Sequence, residues 1–135
     1  MHANLLAVVL ILAAQRTPAP YISIYHDDAV TFQVRRDRVK EKEAGIYRVW
    51  LRWLWYEPRP LKSDFETARI AIADVDCNQR RVREYGVIHK NKDSKVIDSE
   101  DTLDSEWKSF DAATGANAAI GRLCEFLPQM KAYRR

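Results

Sequence analysis

Apolar and polar residues alternate along several stretches of the chain, a pattern typical of half-buried β-strands. The spacing predicts strands over residues 21–26, 30–35, 46–56, 68–76, 79–90 and 95–97. Asp27-Asp28 predicts a turn between the first two strands, and Pro58 and Pro60 are expected to end the third. The charged segment 35–43 and the acidic segment 98–106 predict solvated loops.

The third predicted strand has the strongest pattern. Its two sets of alternate residues, here called its two parities, differ in composition. One parity is apolar or aromatic throughout: Tyr47, Val49, Leu51, Trp53 and Trp55. The other mixes cationic with aromatic and apolar residues: Arg48, Trp50, Arg52, Leu54 and Tyr56. We therefore expect the first parity to face the core and the second to be only partly buried.

One helix is predicted over residues 112–127, with Asp111 as its N-cap and Pro128 closing it. Its apolar stripe has helical spacing: Ala116, Ile120, Leu123, Cys124 and Leu127. Several strands followed by one helix predict an α+β fold. We expect an antiparallel sheet of about five to six strands, with the C-terminal helix packed on one face and tied by a disulfide.

The N-terminus resembles an export signal. Residues 5–14 are apolar, too few to span a bilayer, and small residues follow them. The predicted organisation is a signal peptide over 1–15, a linker over 16–20, one domain over 21–128 and a basic tail over 129–135. A buried helix or an uncleaved anchor is the alternative. No cysteine follows the apolar run for lipid attachment, so we expect a soluble periplasmic or secreted protein without a stable membrane span.

The chain has only two cysteines, and both lie in the predicted domain. Cys77 ends a predicted strand, and Cys124 lies on the apolar stripe of the predicted helix. An even number of cysteines in an exported chain favours a disulfide, whereas two buried thiols are the alternative.

Composition restricts the class of function. The 135 residues carry 22 basic and 19 acidic side chains, a net charge of +3, too mild to indicate a nucleic-acid partner. His26 and His89 lack a second ligand at the spacing of a metal site on a helix, so no metal or cofactor is predicted. Calcium binding by the acidic segment is a weak alternative, because the EF-hand spacing is absent. Neither a nucleophile elbow nor a glycine-rich phosphate loop is present, so we expect no catalytic activity.

The best candidate interface is the mixed parity of the long strand. Arginine and aromatic side chains are enriched in interface hot spots and stack on one another. The candidate residues are Arg48, Trp50, Arg52 and Tyr56, extended by Arg81 and Arg83 if the two strands are adjacent. The alternative is that these side chains stabilise the domain and bind no partner. In that case a loop covers Trp50 and the arginines pair with acidic residues of the same chain.

A set of short motifs recurs in a fixed order along the chain: Val49-Trp50, Lys62-Ser63, Asp76-Cys77, Arg81, Tyr85, Trp107 and Cys124. In this order and spacing the chain resembles the bacterial surface-adhesin protein E family, and the resemblance covers residues 22–126. It implies a small antiparallel sheet with a C-terminal helix disulfide-bonded to it. It also implies binding to host extracellular-matrix or serum proteins.

The function expected from the sequence is therefore an exported, non-catalytic protein-binding domain, with self-association as a further prospect. The alternative is a periplasmic small-ligand carrier or enzyme inhibitor. Such a protein would hold its ligand between helix and sheet, against Trp53, Trp55 and Ile120.

Overall fold

A computed structural model describes residues 20–101, 106–110 and 116–130 of the chain. Its strands are β1 (Tyr21–His26), β2 (Val30–Arg35), β3 (Lys40–Glu43), β4 (Ile46–Leu61), β5 (Asp64–Asp76), β6 (Arg81–Lys90), β7 (Val96–Asp101) and β8 (Lys108–Ser109). A 3₁₀ turn, Arg36–Arg38, separates β2 from β3, and one helix, α1, spans Ala116–Met130. The predicted signal peptide and the proposed N-cap Asp111 lie outside the described residues.

The strands form one antiparallel sheet in the order β1-β2-β4-β5-β6-β7. The two short strands pair at its margins, β3 with β4 and β8 with β6. Every strand along this path pairs with its neighbour in sequence, apart from the short β3 between β2 and β4. The predicted α+β class with an antiparallel sheet and one C-terminal helix is confirmed, although eight strands exceed the predicted five to six.

The core lies between α1 and one face of the sheet, which we call the helix face. Alternate residues of the central strands point into it and are fully buried, among them Phe32, Val34, Val49, Leu51, Ala71, Ala73 and Val75. The stripe of α1 supplies Ile120, Leu123 and Leu127. The predicted inward parity of β4 is thus buried from Tyr47 to Trp53.

A disulfide joins the end of the sheet to the helix. Cys77 directly follows β5 and Cys124 lies in the middle of α1, and their sulfurs are bonded across a Cα–Cα distance of 5.7 Å. The predicted bridge is confirmed, and the alternative of two buried thiols is wrong. The bond encloses a segment with a sequence separation of 47, which includes β6, β7 and β8.

Two predicted loops contain strands. The charged segment 35–43 forms the 3₁₀ turn and then β3, whose polar side chains are mostly exposed along the margin of the sheet. The acidic residues 98–101 belong to β7, an edge strand where carboxylates remain solvated while the backbone pairs with β6. Edge strands tolerate charge on both faces, so hydrophobic alternation is a poor guide to them.

Prolines did not end the elements as predicted. The register pairs between β4 and β2 stop at Trp55, and β4 continues past Pro58 and Pro60 as an edge strand paired only with β5. A proline on an edge strand loses no ladder hydrogen bond when its nitrogen faces solvent. Pro128 is likewise within the last turn of α1, which continues to the buried Met130, so the helix extends beyond the predicted domain boundary at 128. Among the described residues, α1 lacks the length and apolarity required to cross a bilayer.

Candidate functional site

The sheet face opposite α1 carries the mixed parity of β4, and we call it the open face. In register, Arg48, Trp50 and Arg52 lie beside Asp74, Ile72 and Ile70 of β5, which in turn lie beside Arg83, Gly86 and Ile88 of β6. None of the three β4 residues is fully buried, which confirms the predicted partial exposure.

A buried carboxylate organises one end of the open face. Asp74 is only 2% exposed and accepts hydrogen bonds from Arg48, Nε to Oδ1 at 3.0 Å and Nη2 to Oδ2 at 3.3 Å. The hydroxyl of Tyr85 donates to Oδ2, while Nη2 of Arg83 lies 3.6 Å and Nζ of Lys42 lies 3.9 Å from it. Burial raises the pKa of Asp74, but these donors and cations outweigh burial and hold its pKa below the ordinary value.

Arginines stack on the aromatic rings of the open face. The guanidinium carbons of Arg35 and Arg38 each lie 5.8 Å from the ring centroid of Trp50. Arg52 lies 3.8 Å from the ring centroid of Tyr21, and its Nε donates to Oε1 of Gln33 at 2.8 Å. These cation–π contacts fix the planes of the guanidinium groups and cover the aromatic rings only in part.

Arg81 and Arg83 lie on β6, which is not adjacent to β4, so the condition for their predicted extension of the interface is not met. The strand β5 lies between β4 and β6, and it connects the two sets of arginines through its carboxylates. Arg81 donates to Oδ2 of Asp76 at 3.0 Å, and both arginines lie 4.5 Å from the ring centroid of Trp107. Trp107 therefore belongs to this cluster.

Tyr56 lies apart from the other candidates. Its hydroxyl is 2.7 Å from Oγ1 of Thr31, and the residue is 54% exposed. Eight residues of strand separate it from Arg48, a distance of roughly 26 Å at 3.3 Å per residue. The structure therefore joins Arg48, Trp50 and Arg52 in one surface and places Tyr56 at its far margin.

The described contacts leave the open face positive. Seven cations and three carboxylates take part in them: Arg35, Arg38, Lys42, Arg48, Arg52, Arg81 and Arg83 against Asp37, Asp74 and Asp76. The alternative, that the arginines pair with acidic residues of the protein itself, also holds in part, because Arg48 and Arg81 pair with buried carboxylates. Internal pairing holds these arginines in position.

The helix face contains a separate cleft of about 410 Å³ beside α1. Trp53, Trp55 and Ile120, the three residues proposed for a carrier pocket, all line it. Arg69 stacks on Trp53 with its guanidinium carbon 4.6 Å from the ring centroid, and Arg59 stacks on Trp55 at 4.2 Å. The cleft is open to solvent and has an aromatic floor, and its margin carries Arg59 together with the ion pair of Arg69 and Glu84, whose Nη2 and Oε2 lie 2.7 Å apart.

A histidine–carboxylate cluster on β6 and β7 was missed by the sequence analysis. His89, Asp98 and Glu100 offer ligand atoms that all lie within 4.8 Å of one another. The search of the sequence considered helical spacing, whereas these residues meet across two strands. One signal was available in the sequence. Asp98 and Glu100 are two residues apart, so both carboxylates lie on the same face once their segment is recognised as a strand.

Comparisons with known proteins neither support nor oppose these assignments. No family model, curated protein or solved structure matches the chain. The resemblance to the surface-adhesin protein E family therefore stays a prediction.

Proposed function

We propose that this protein is an exported, non-catalytic binding domain whose open face contacts an acidic surface of a protein partner. The observation that carries the proposal is the excess of cations on the open face, together with their stacking on aromatic rings, while α1 covers the opposite face. By resemblance, the partner belongs to the host extracellular-matrix or serum proteins.

The composition of the open face fits a protein interface. Its centre carries Trp50 and the partly buried isoleucines Ile70, Ile72 and Ile88, and the arginines surround them. An apolar centre within a polar rim is the usual anatomy of an interface. Tryptophan and arginine are also the residues most often found in hot spots.

Internal contacts order the arginines before a partner binds. Arg48 is held by Asp74, and Arg52 by Gln33 and the ring of Tyr21. Side chains that are already ordered lose less conformational entropy on association, so more of the contact energy appears as affinity. The excess positive charge favours an acidic partner and accelerates its approach.

The disulfide supports export. Disulfides persist in oxidising compartments and are rare in the cytosol. The bond between Cys77 and Cys124 therefore favours a periplasmic or secreted location, where host proteins are accessible.

The proposal can be tested by surface plasmon resonance against immobilised host extracellular-matrix and serum proteins. We expect a bound partner whose affinity falls about tenfold or more in Trp50→Ala and in Arg52→Ala, and which weakens with salt. Arg122→Ala is the matched control, because it removes an arginine that is exposed on α1. Unchanged affinity in both open-face variants, or an equal loss in the control, contradicts the proposal.

The cleft supports a second candidate, a carrier of small ligands with an apolar body and an anionic head. Its aromatic floor and Arg59, which stacks on Trp55, suit such a ligand. The dye 1-anilinonaphthalene-8-sulfonate has this chemistry. Fluorescence enhancement that is lost in Arg59→Ala but kept in Arg122→Ala supports the carrier, whereas no enhancement by the native protein contradicts it.

A further inference from the structure

The geometry of β6 and β7 brings a histidine and two carboxylates together at one edge of the sheet. His89 pairs with Asp98 across the two strands, and Val87 pairs with Glu100. Paired residues of antiparallel strands share a face, as do residues two apart on one strand. One nitrogen of His89 and one oxygen of each carboxylate consequently lie within 4.8 Å of one another.

A buried carboxylate holds the imidazole in place. Glu66 is 6% exposed, and its Oε1 lies 2.6 Å from Nδ1 of His89. A neutral imidazole that donates its Nδ1 proton to a carboxylate presents the lone pair of Nε2. Histidine ligands of metals are commonly oriented by a carboxylate on the second nitrogen in this way. Glu66 lies outside the ligand group and is nearly inaccessible, so its role here is to orient His89.

We propose that His89, Asp98 and Glu100 form a binding site for a divalent transition-metal ion, with Zn²⁺ as the best fit. One imidazole nitrogen and two carboxylate oxygens suit Zn²⁺, whereas Ca²⁺ and Mg²⁺ prefer oxygen ligands alone. Three protein ligands leave a fourth tetrahedral position for water. Glu100 is exposed and Asp98 is half-buried, so their side chains can close around an ion near the more constrained His89.

Lys62 competes with the ion in this arrangement. Its Nζ lies 2.9 Å from Oδ1 of Asp98, and its side chain is 62% exposed. The ammonium group neutralises Asp98 when no ion is bound, and it can withdraw into solvent when an ion binds. Removing Lys62 should therefore strengthen metal binding, a consequence that binding elsewhere on the surface, away from Asp98, would not share.

The test is isothermal titration of Zn²⁺ into the full chain, purified without a polyhistidine tag and with its disulfide intact. We expect one site whose affinity falls at least tenfold in His89→Gln and is unchanged in His26→Ala. We expect affinity to rise about two- to fivefold in Lys62→Met, because an exposed ion pair of this kind contributes little. Glutamine keeps a hydrogen-bond partner for Glu66, and the near-ultraviolet circular dichroism spectrum checks that each variant is folded.

X-ray absorption spectroscopy of the zinc complex supplies an independent measurement. The site predicts one imidazole among otherwise oxygen ligands. The proposal is overturned if His89→Gln binds Zn²⁺ as tightly as the native chain, or if His26→Ala removes the site. It is also overturned if Lys62→Met leaves the affinity unchanged or weakens it.

Discussion

Arg48 on β4 and Asp74 on β5 form a two-point ion pair across neighbouring strands, with a carboxylate that is almost wholly inaccessible. The guanidinium group is partly exposed and also lies 4.5 Å from the ring centroid of Tyr85. Asp74 is thus part of the buried interior, whereas Arg48 contributes to the exposed surface of the open face. This relationship connects the stability of the sheet to the arrangement of its proposed binding surface.

Asp74→Asn should destabilise the protein and change its dependence on pH. The substitution weakens the charge-assisted hydrogen bonds that Asp74 accepts from Arg48 and Tyr85, and the loss of such a bond typically costs about 2 kcal/mol of unfolding free energy. Because the folded pKa of Asp74 is lowered, its contribution is complete above the ordinary pKa of about 4 and is lost as pH falls through the folded value. Urea unfolding between pH 7 and 2 measures both effects.

The same measurement on Asp93→Asn provides the control, because this carboxylate is exposed. We expect wild-type stability at pH 7 for Asp93→Asn, and a flatter decline below pH 4 for Asp74→Asn. Asp76 also has a lowered pKa, so some decline remains in every variant. An Asp74→Asn protein as stable as wild type at neutral pH refutes the structural role of the pair.

The disulfide should contribute substantially to stability. On the chain-entropy model, closing a loop with a sequence separation of 47 constrains the unfolded chain by about 4 kcal/mol. Cys77→Ser/Cys124→Ser should therefore unfold at markedly lower urea concentration, with a similar shift when the native protein is reduced. A double variant that differs from wild type by less than about 1 kcal/mol contradicts this account.

Leu123→Ala tests the packing of α1 on the sheet. Leu123 is fully buried, and truncating a buried leucine to alanine usually costs 2.7 to 5.0 kcal/mol, here taken as about 3. Glu125→Ala, on the exposed side of the same helix, should change stability by about 0.5 kcal/mol or less. If the two variants lowered the free energy of unfolding equally, the packing of the Leu123 side of α1 against the sheet would be contradicted.

Gly86→Val tests the open face by addition of a side chain. Gly86 lies beside Ile72 at the centre of the open face, and a Cβ there would meet only the carbonyl oxygen of Glu100 at 3.8 Å. The variant should fold, because valine suits a strand and the contact is an ordinary one. It should nevertheless weaken partner binding about tenfold, because the added side chain projects from the open face beside Ile72, which separates it from Trp50.

Binding of the partner and urea unfolding together separate the outcomes for Gly86→Val. Retained stability with lost affinity places the interface on the open face. Retained stability with unchanged affinity moves the interface elsewhere.

The alternation of residues predicted most of the sheet correctly. Val49 and Leu51 are buried as expected, while Arg48 and Trp50 lie on the other face, because a strand between two neighbours must put alternate residues on opposite sides. The pairing of Cys77 with Cys124 was also predictable, since each lies at the inward side of its own element.

Edge structure could not be predicted by the same rule. The charged β3 and the acidic β7 bury little apolar surface, so their sequences resemble loops. Pro58 and Pro60 appeared to end β4, whereas only its pairing with β2 ends there. Whether a proline breaks a strand depends on its neighbours in the sheet, which the sequence alone does not specify.

The candidate site was predicted in composition but not in arrangement. Whether Arg83 would lie near Arg48 depended on a strand order that the sequence does not specify, and Asp74 on an intervening strand joins the two arginines. The meeting of His89 with Asp98 likewise depends on the register of β6 against β7. Register is set by turns and cross-strand packing, so a chemical cluster of this kind becomes visible only in three dimensions.

The intact mass of the native protein, taken from cell envelope and culture medium, tests export and the disulfide together. The spectra would be recorded after alkylation with and without prior reduction. We predict a chain beginning near Gln15 or Arg16, in which Cys77 and Cys124 become alkylated only after reduction. An unprocessed chain with two freely alkylated thiols would contradict the location, the bridge and the proposed encounter with host proteins.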